Sequence, residues 1–339
     1  MKKAVKMSDI AKLAGVSIGT VSRALANNPL VNKETSQRIQ RIANAQNYKV
    51  NKQAGNLRNQ RVKEVSILIP SPDASILLQD PFFLELFGGI ALEMNMTKHD
   101  INLSGYNPVD LLGVQKSVIA NRTDGAIVIG QSDLHETFND LSDEFSNFVV
   151  WGGKLKGQKY CSVGSDNIKG GQLAARHLIE QGCRKIAFLG VKGWSECQLR
   201  LDGFLAAHEE LGVTPCAELI LDKSPDAKMS GELAVKQLIT SGHEFDGIFA
   251  TSDMLAISAI TGLAKHGIKV PQQVAVVGYD DINFAKQVWP SLTTIRQDTL
   301  AGGKTLVHHI LAIIEGKKPD STMLPTELIV RKSSCYRER

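Results

Sequence analysis

The 339-residue chain is poor in aromatics, at 6% with three Trp, and its five cysteines form no CxxC pair. An odd number of scattered thiols excludes a disulfide framework and argues against a structural zinc site. No run approaches the roughly 18 consecutive apolar residues of a membrane-spanning helix. The opening MKKAVKMSDIAKLAG is basic and has no apolar signal core, so export is not expected and the cytoplasm is the expected location. Catalytic signatures are missing too: there is no GxSxG, HExxH or GxGxxG. GGKT (302–305) ends like a phosphate-binding loop, but Asp298 stands where that loop needs its first glycine. His308 and His309 are adjacent, so they face different ways on a helix and make no i, i+4 metal pair. No cofactor, metal or enzymatic activity is expected.

What is present is a chain of 43% hydrophobic and 22% charged residues, long enough for two or three domains with substantial cores. Its charge is uneven. Residues 1–63 carry 13 Lys and Arg against two acids, Asp9 and Glu34, for +11; the remainder carries 26 against 33, for −7. A basic head on a mildly acidic body suggests a nucleic-acid-binding module joined to a domain with another task.

The head has an ordered apolar pattern that a solvated tail would lack. Ser8 and Asp9 read as a helix start, followed by Ile10, Ala11, Leu13 and Ala14, with Gly15 as the stop. Ser17 reads as the cap of a second helix to about Ala26, with Val21, Ala24 and Leu25 inward. Asn27, Asn28 and Pro29 break it, and a third helix follows Asn32, with Ile39, Ile42 and Ala43 inward. Two short helices about a glycine turn with a bracing third predict a helix-turn-helix.

The residues AGVS, TVSRAL, NPLVNKET and QNYKVN resemble the head of the LacI/GalR family of bacterial transcription regulators. The resemblance implies that the second helix enters the major groove. Its first residues, Ile18 and Gly19, would meet base edges, with Thr20, Ser22 and Arg23 nearby. Arg23 can fork a guanine, a contact worth roughly 1–3 kcal/mol of discrimination, while Ser17, Thr20 and Ser22 suit phosphates. Linker residues Asn51, Ala54, Leu57 and Arg58 match a hinge that folds on the operator and wedges a leucine into the minor groove. Gly55 replaces the usual Arg there and costs about 1 kcal/mol of helix propensity.

From residue 64 the pattern changes to alternating strands and helices. VSILIP (65–70), a helix on 81–94, INLSG (101–105), a helix around 109–121 and DGAIVIG (124–130) form one set. KIAFLGV (185–191), a helix on 197–211, ELILD (218–222), a helix around 228–241 and DGIFATSD (246–253) form a second, with Asp124 and Asp246 122 residues apart. Continuous apolar strands in a βαβαβ order, given twice, predict two parallel sheets covered by helices, with ligands in the cleft between them. The expected fold class is therefore α/β, with an N-terminal helix-turn-helix DNA-binding head and a two-lobed, periplasmic-binding-protein-like domain. Expected boundaries are 1–50 for the head, 51–63 for the hinge, 64–165 with 297–325 for the first lobe, and 166–296 with 326–339 for the second.

By the same resemblance, Arg200 (RLDGF), Asp280 (GYDD), Gln297 (TTIRQD) and Phe83 (PFF) are expected effector contacts, with Ser252, Trp151 and Gln131 as further candidates. An ion pair between Arg200 and Asp280 is the alternative role for those two. Asp226 stands where some relatives place a stacking aromatic, which disfavours a purine-like ligand and favours a small sugar, sugar acid or sugar phosphate. The function implied is a sequence-specific repressor of carbohydrate-utilisation genes, a homodimer on a pseudo-palindromic double-stranded operator, with no membrane partner. Induction by the effector is expected, with corepression as the alternative.

Overall fold

The computed structural model describes residues 6–25, 28–46, 48, 63–70, 80–97, 99–106, 123–191, 193–223 and 231–335. The chain divides between residues 62 and 63 into two units. Linker residues Asn51, Ala54, Gly55, Leu57 and Arg58, the helix expected around 109–121, and Asp226 lie outside the described residues.

The first unit holds α1 (Met7–Ala14), α2 (Ile18–Leu25) and α3 (Lys33–Ala45). Ile10, Ala11, Ala14, Val21, Ala24 and Ile39 form its small core. The first helix starts earlier than its sequence suggests. Lys6 is the N-cap, and Asp9 Oδ2 accepts the Lys6 N–H at 2.9 Å, so Ser8 lies within the first turn. Gly15, at φ +63°, ends that helix in the left-handed conformation that glycine adopts without a Cβ clash. Ser17 Oγ accepts the Thr20 N–H at 3.1 Å and caps α2; Asn32 Oδ1 accepts the Thr35 N–H at 2.7 Å and caps α3. A side-chain oxygen at such a start satisfies one of the orphan N–H groups of the first turn.

The second unit contains two six-stranded sheets. In spatial order the first is β11 (Thr322–Leu324), β5 (Cys161–Ser165), β4 (Phe148–Trp151), β3 (Gly125–Ile129), β1 (Glu64–Pro70) and β2 (Asp100–Tyr106). The second is β12 (Glu327–Ile329), β10 (Thr293–Arg296), β9 (Ala275–Asp280), β8 (Gly247–Ala250), β6 (Ile186–Val191) and β7 (Ile220–Lys223). All of these pairings are parallel except β10 with β12. Every residue of β3, β4, β8 and β9 is buried, as strands with helices on both faces require. The ELILD segment is shorter as a strand than expected, because Ala217–Leu219 winds into a 3-10 turn before β7.

The covering helices are α4 (Pro81–Met94), α5 (His135–Glu144), α6 (Asn167–Glu180), α7 (Ser195–Glu210), α8 (Gly231–Ser241), α9 (Asp253–Lys265) and α10 (Thr299–Ile314). Helices α6 and α7 cross in close contact because two glycines stand at the crossing. A Cβ on Gly171 would lie 2.1 Å from the Arg200 carbonyl oxygen, and one on Gly203 would lie 2.0 Å from that of Ile168. The backbones can approach this far only without side chains. This crossing matters for the site, since it fixes the height of Arg200 over the second sheet.

The chain passes between lobes three times: from β5 to α6, from β10 to α10, and from β11 to β12. The first and third crossings are tied to each other, the Asp166 N–H donating to the Leu324 carbonyl at 2.9 Å; in the second, the Gln297 N–H donates to the carbonyl of Asp280 at the end of β9, at 3.3 Å.

Candidate functional site

Two surfaces follow from this architecture. On the head, α2 turns Val21 and Ala24 into the core and leaves Ile18, 53% exposed, on the outer face with Ser17 and Arg23. Packing therefore does not account for Ile18. The Arg23 Nε donates to the Gly19 carbonyl at 3.2 Å, which lays the guanidinium along the helix beside Gly19. A Cβ at Gly19 would meet Arg23 Nη2 at 3.7 Å and Ser17 Oγ at 3.8 Å, ordinary contacts, so the absence of a side chain there is not a packing demand. Ser17 and Thr20 hydroxyls lie 2.9 Å apart, and Thr20 and Ser22 are partly exposed beside them. The face thus offers one apolar tip, one guanidinium and three hydroxyls.

The second surface is the facing edge of the two lobes. Arg200 projects from the second turn of α7 and is 9% exposed. Its Nε donates to Asn167 Oδ1 at 2.8 Å, its Nη1 donates to the Thr251 carbonyl, and its guanidinium lies 3.6 Å from the centre of the Tyr279 ring. A guanidinium held by two hydrogen bonds and a ring face is fixed in direction before any ligand arrives. Asp280 ends β9 with φ +124°, a strained value for a residue with a Cβ, and its Oδ1 accepts from Gln297 Nε2 at 2.7 Å. The expected alternative for Arg200 and Asp280 is not what the chain adopts: the ion pairs among the described residues do not join them, and Asp280 is held by the amide of Gln297 instead.

Burial dominates the electrostatics. Asp280 is pushed well above the ordinary carboxylate range, first by desolvation and then by the nearby Asp253. Burial pushes Asp253 up to about 7, against hydrogen bonds from Thr294 Oγ1 and the Ile282 N–H. Burial likewise raises Asp80 at the head of α4, and raises the Tyr279 hydroxyl to about 12. Two bridges close the lobes on each other. The Glu196 carboxylate, from the second lobe, accepts the N–H groups of Gln131 and Ser132 in the first, and Glu85 Oε1 accepts from the N–H and side-chain amide of Asn283.

Sequence comparison matches residues 6–51 to bacterial regulatory proteins of the lacI family and residues 175–334 to a periplasmic binding protein-like domain. The chain is 29% identical to the HTH-type transcriptional regulator MalR of Clostridium butyricum over 98% of this chain and 99% of that one. The chain thus joins a lacI-family head to a periplasmic binding protein-like domain. Among solved structures, a transcriptional regulator CelR–cellobiose complex is similar at 26% identity and a TM-score of 0.73, over 97% of this chain and 99% of that one. The lac repressor dimer bound to operator and the anti-inducer ONPF shares the fold at 23% identity and a TM-score of 0.86, over 98% and 99%. With that head, and with relatives that are transcriptional regulators along its whole length, the chain is a DNA-binding transcriptional regulator and not an enzyme.

The structure brings some of the expected effector residues together and sets others apart. Arg200, Asp280 and Gln297 converge, buried, around Asn167 and Tyr279. Phe83 stands half-buried with its ring edge-on to Phe82 at 5.5 Å. Trp151 is a core residue, 5% exposed, 6.1 Å from the Phe82 ring and pressed against Gly302, where a Cβ would lie 2.5 Å from the indole. Gln131 is fully buried: its Nε2 donates to the Gly153 carbonyl and the Tyr160 hydroxyl, and its Oε1 accepts the Gly153 N–H. Ser252 is the N-cap of α9, its Oγ accepting from the Leu255 N–H at 3.2 Å. Asn167, Tyr279, Thr251 and Glu196 were not singled out from sequence. Asn167 follows the capping Asp166 and Tyr279 sits inside the GYDD motif, so those two had a local signal.

A separate groove of about 590 Å³ lies away from these residues, on the second lobe. Ile260, Ile268, Val270, Trp289, Lys332 and Cys335 line it, with the Lys332 ammonium 4.9 Å over the ring of Trp289. Among the described residues no helix is long and apolar enough to cross a membrane.

Proposed function

We propose that the chain is a cytoplasmic repressor of carbohydrate-utilisation genes that binds a pseudo-palindromic operator as a homodimer and releases it when a polar sugar-like effector enters the cleft. The observation that carries the effector reading is the fixed Arg200 guanidinium with Asp280 and Gln297 beside it. Vicinal hydroxyls can donate to Asp280 and accept from Arg200 and Gln297, the pattern by which polar groups orient a sugar. The cellobiose of the CelR complex supports a carbohydrate here. Phe83 offers an apolar wall from the first lobe. Trp151, Gln131 and Ser252 then shape the pocket through packing and capping rather than by touching ligand.

On the operator, Ile18 and Arg23 reach base edges, Ser17, Thr20 and Ser22 hold phosphates, and linker residues Asn51, Ala54, Leu57 and Arg58 meet the minor groove. The dimer of the lac repressor structure supports pairing with a second copy. Effector and operator would be coupled by roughly 1–3 kcal/mol, the usual scale of such switches.

The test is selection of duplexes from a random library by the full-length protein, followed by a sugar screen for release of the selected duplex. Two related half-sites and a steep loss of affinity with salt are expected. A truncated chain lacking residues 1–62 that still binds the selected duplex equally well would refute the reading.

A further inference from the structure

The turn after β3 holds a carboxyl group, and the carboxyl is the chain's own; burial raises its pKa, opposed by the N–H groups of Gln131 and Ser132 and by the charge of Arg200. Gly130 has φ +108° and Ser132 φ +47°, so left-handed backbone flanks Gln131 on both sides. Consecutive N–H groups in such a turn converge on one concave face and bind negative charge. Glu196 fills that face: Oε1 accepts the Gln131 N–H at 2.9 Å and Oε2 accepts the Ser132 N–H at 3.2 Å. The Ser195 N–H donates to the Ser132 carbonyl at 2.9 Å, which registers the first turn of α7 on the same loop. The Gln131 side chain is tied to Gly153 and Tyr160, so the turn is fixed from behind as well.

The cleft beyond this corner has little to offer a second anion. Arg200 is the one buried Lys or Arg among the described residues, and its Nε and Nη1 already donate to Asn167 and Thr251. Asp280 and Asp253 are buried beside it, and Asp80 lies close enough to bear on Asp280. An entering carboxylate or phosphate would have to expel Glu196 from its two N–H groups and then share the cleft with it. A ligand with hydroxyls alone leaves Glu196 in place and gives Asp280 the donors that it lacks.

We propose that Glu196 is a built-in occupant of an anion subsite on the first lobe, and that it restricts the effector to neutral polyhydroxylated sugars, shutting out sugar acids and sugar phosphates. The selectivity half of this proposal rests on the effector reading given above; the subsite itself does not.

The experiment uses the full-length protein and its Glu196→Ala variant. Acetate is titrated at constant ionic strength, with neutral acetamide as the control, while the melting temperature is followed. Acetate is expected to raise the melting temperature of the variant saturably, by a few degrees, with acetamide inert and the wild type unmoved by either. The same proteins are then offered cellobiose, glucuronate and glucose 6-phosphate, and binding is measured by calorimetry. Wild type is expected to ignore both anionic sugars, and the variant to bind glucuronate at least about tenfold more tightly than wild type does. Where Glu196→Ala does not fold, Glu196→Ser, which likewise vacates the two N–H groups, takes its place in the same two readouts. Absence of saturable acetate stabilisation in the variants overturns the subsite. Wild-type binding of glucuronate or glucose 6-phosphate overturns the selectivity. If no sugar of any charge bound the wild type, the effector reading would fall while the acetate result still judged the subsite.

Discussion

The two lobes share one topology and present opposite chemistries to each other. The first lobe ends its strands in side chains that are already engaged: Trp151 is wedged against Gly302, and Gln131 makes three hydrogen bonds to its own neighbours. The second lobe brings polar groups fixed in direction to the same edge, Asp280 from the end of β9, Asn167 from the first turn of α6 and Arg200 from the second turn of α7. On the proposed reading a duplicated scaffold divides labour, with one half supplying a shaped wall and the other a polar reader. The difference lies in a few residues at strand ends and helix starts.

The sharpest way to break this division is at Arg200. Arg200→Ala removes the charged donor to Asn167 and Thr251, and leaves the Thr251 carbonyl without it while Asn167 keeps the Tyr279 hydroxyl; such bonds are worth about 1.5–3 kcal/mol each, and a loss on that scale is expected in denaturant melts. The effector response should vanish, while operator affinity stays within a few fold of wild type, because the head is a separate unit. An intact response would place the reader elsewhere.

In the first lobe, Gln131→Ala should cost less. The Gly153 N–H loses its partner while the Tyr160 hydroxyl keeps His135 Nδ1, for about 1–3 kcal/mol, and the order of preference among sugars should not change. A change in that order without a change in stability would show that the first lobe reads ligand too.

A pH slope is expected as well, carried by Asp253 and Asp280 of the second lobe, with Asp80 of the first adding to it. Asp253 and Asp280 are both raised by burial, so the folded chain holds their protons more tightly than the unfolded chain does. The stability they contribute is complete below about pH 4 and is lost as pH rises through about 7. Over that window wild-type stability should fall, and Asp253→Asn should flatten the slope, as read from urea midpoints across the range. A slope unchanged in Asp253→Asn would take that carboxyl out of the account.

Much of the fold was legible because parallel strands covered on both faces are continuous apolar runs, and two sets of them recur at a fixed spacing. Arg200, Asp280 and Gln297 were legible through the short motifs around them. The rest depended on partners far away in sequence. Glu196 meets Gln131 across 65 residues, and nothing near ECQLRL says what faces it. Gln131 and Trp151 were placed correctly at strand ends, but whether such a side chain turns toward the cleft or into the lobe is set by what packs behind it, here Tyr160, Gly153 and Gly302. The start of α1 illustrates the same limit at short range, for Ser8 is a good cap by type and Lys6 is the cap in fact, because Asp9 reaches back to its N–H.

The three chain crossings between lobes lie as three plies of one strap, two of them bound to each other at Asp166 and Leu324. Were the cleft to close, these plies would be its pivot. Gln297 belongs to one of the plies and holds Asp280. A ligand that engages these two pushes on the pivot itself, where small displacements become large ones at the lever's end. The lever is the first lobe, whose strand β1 is covalently continuous with the linker that carries the head.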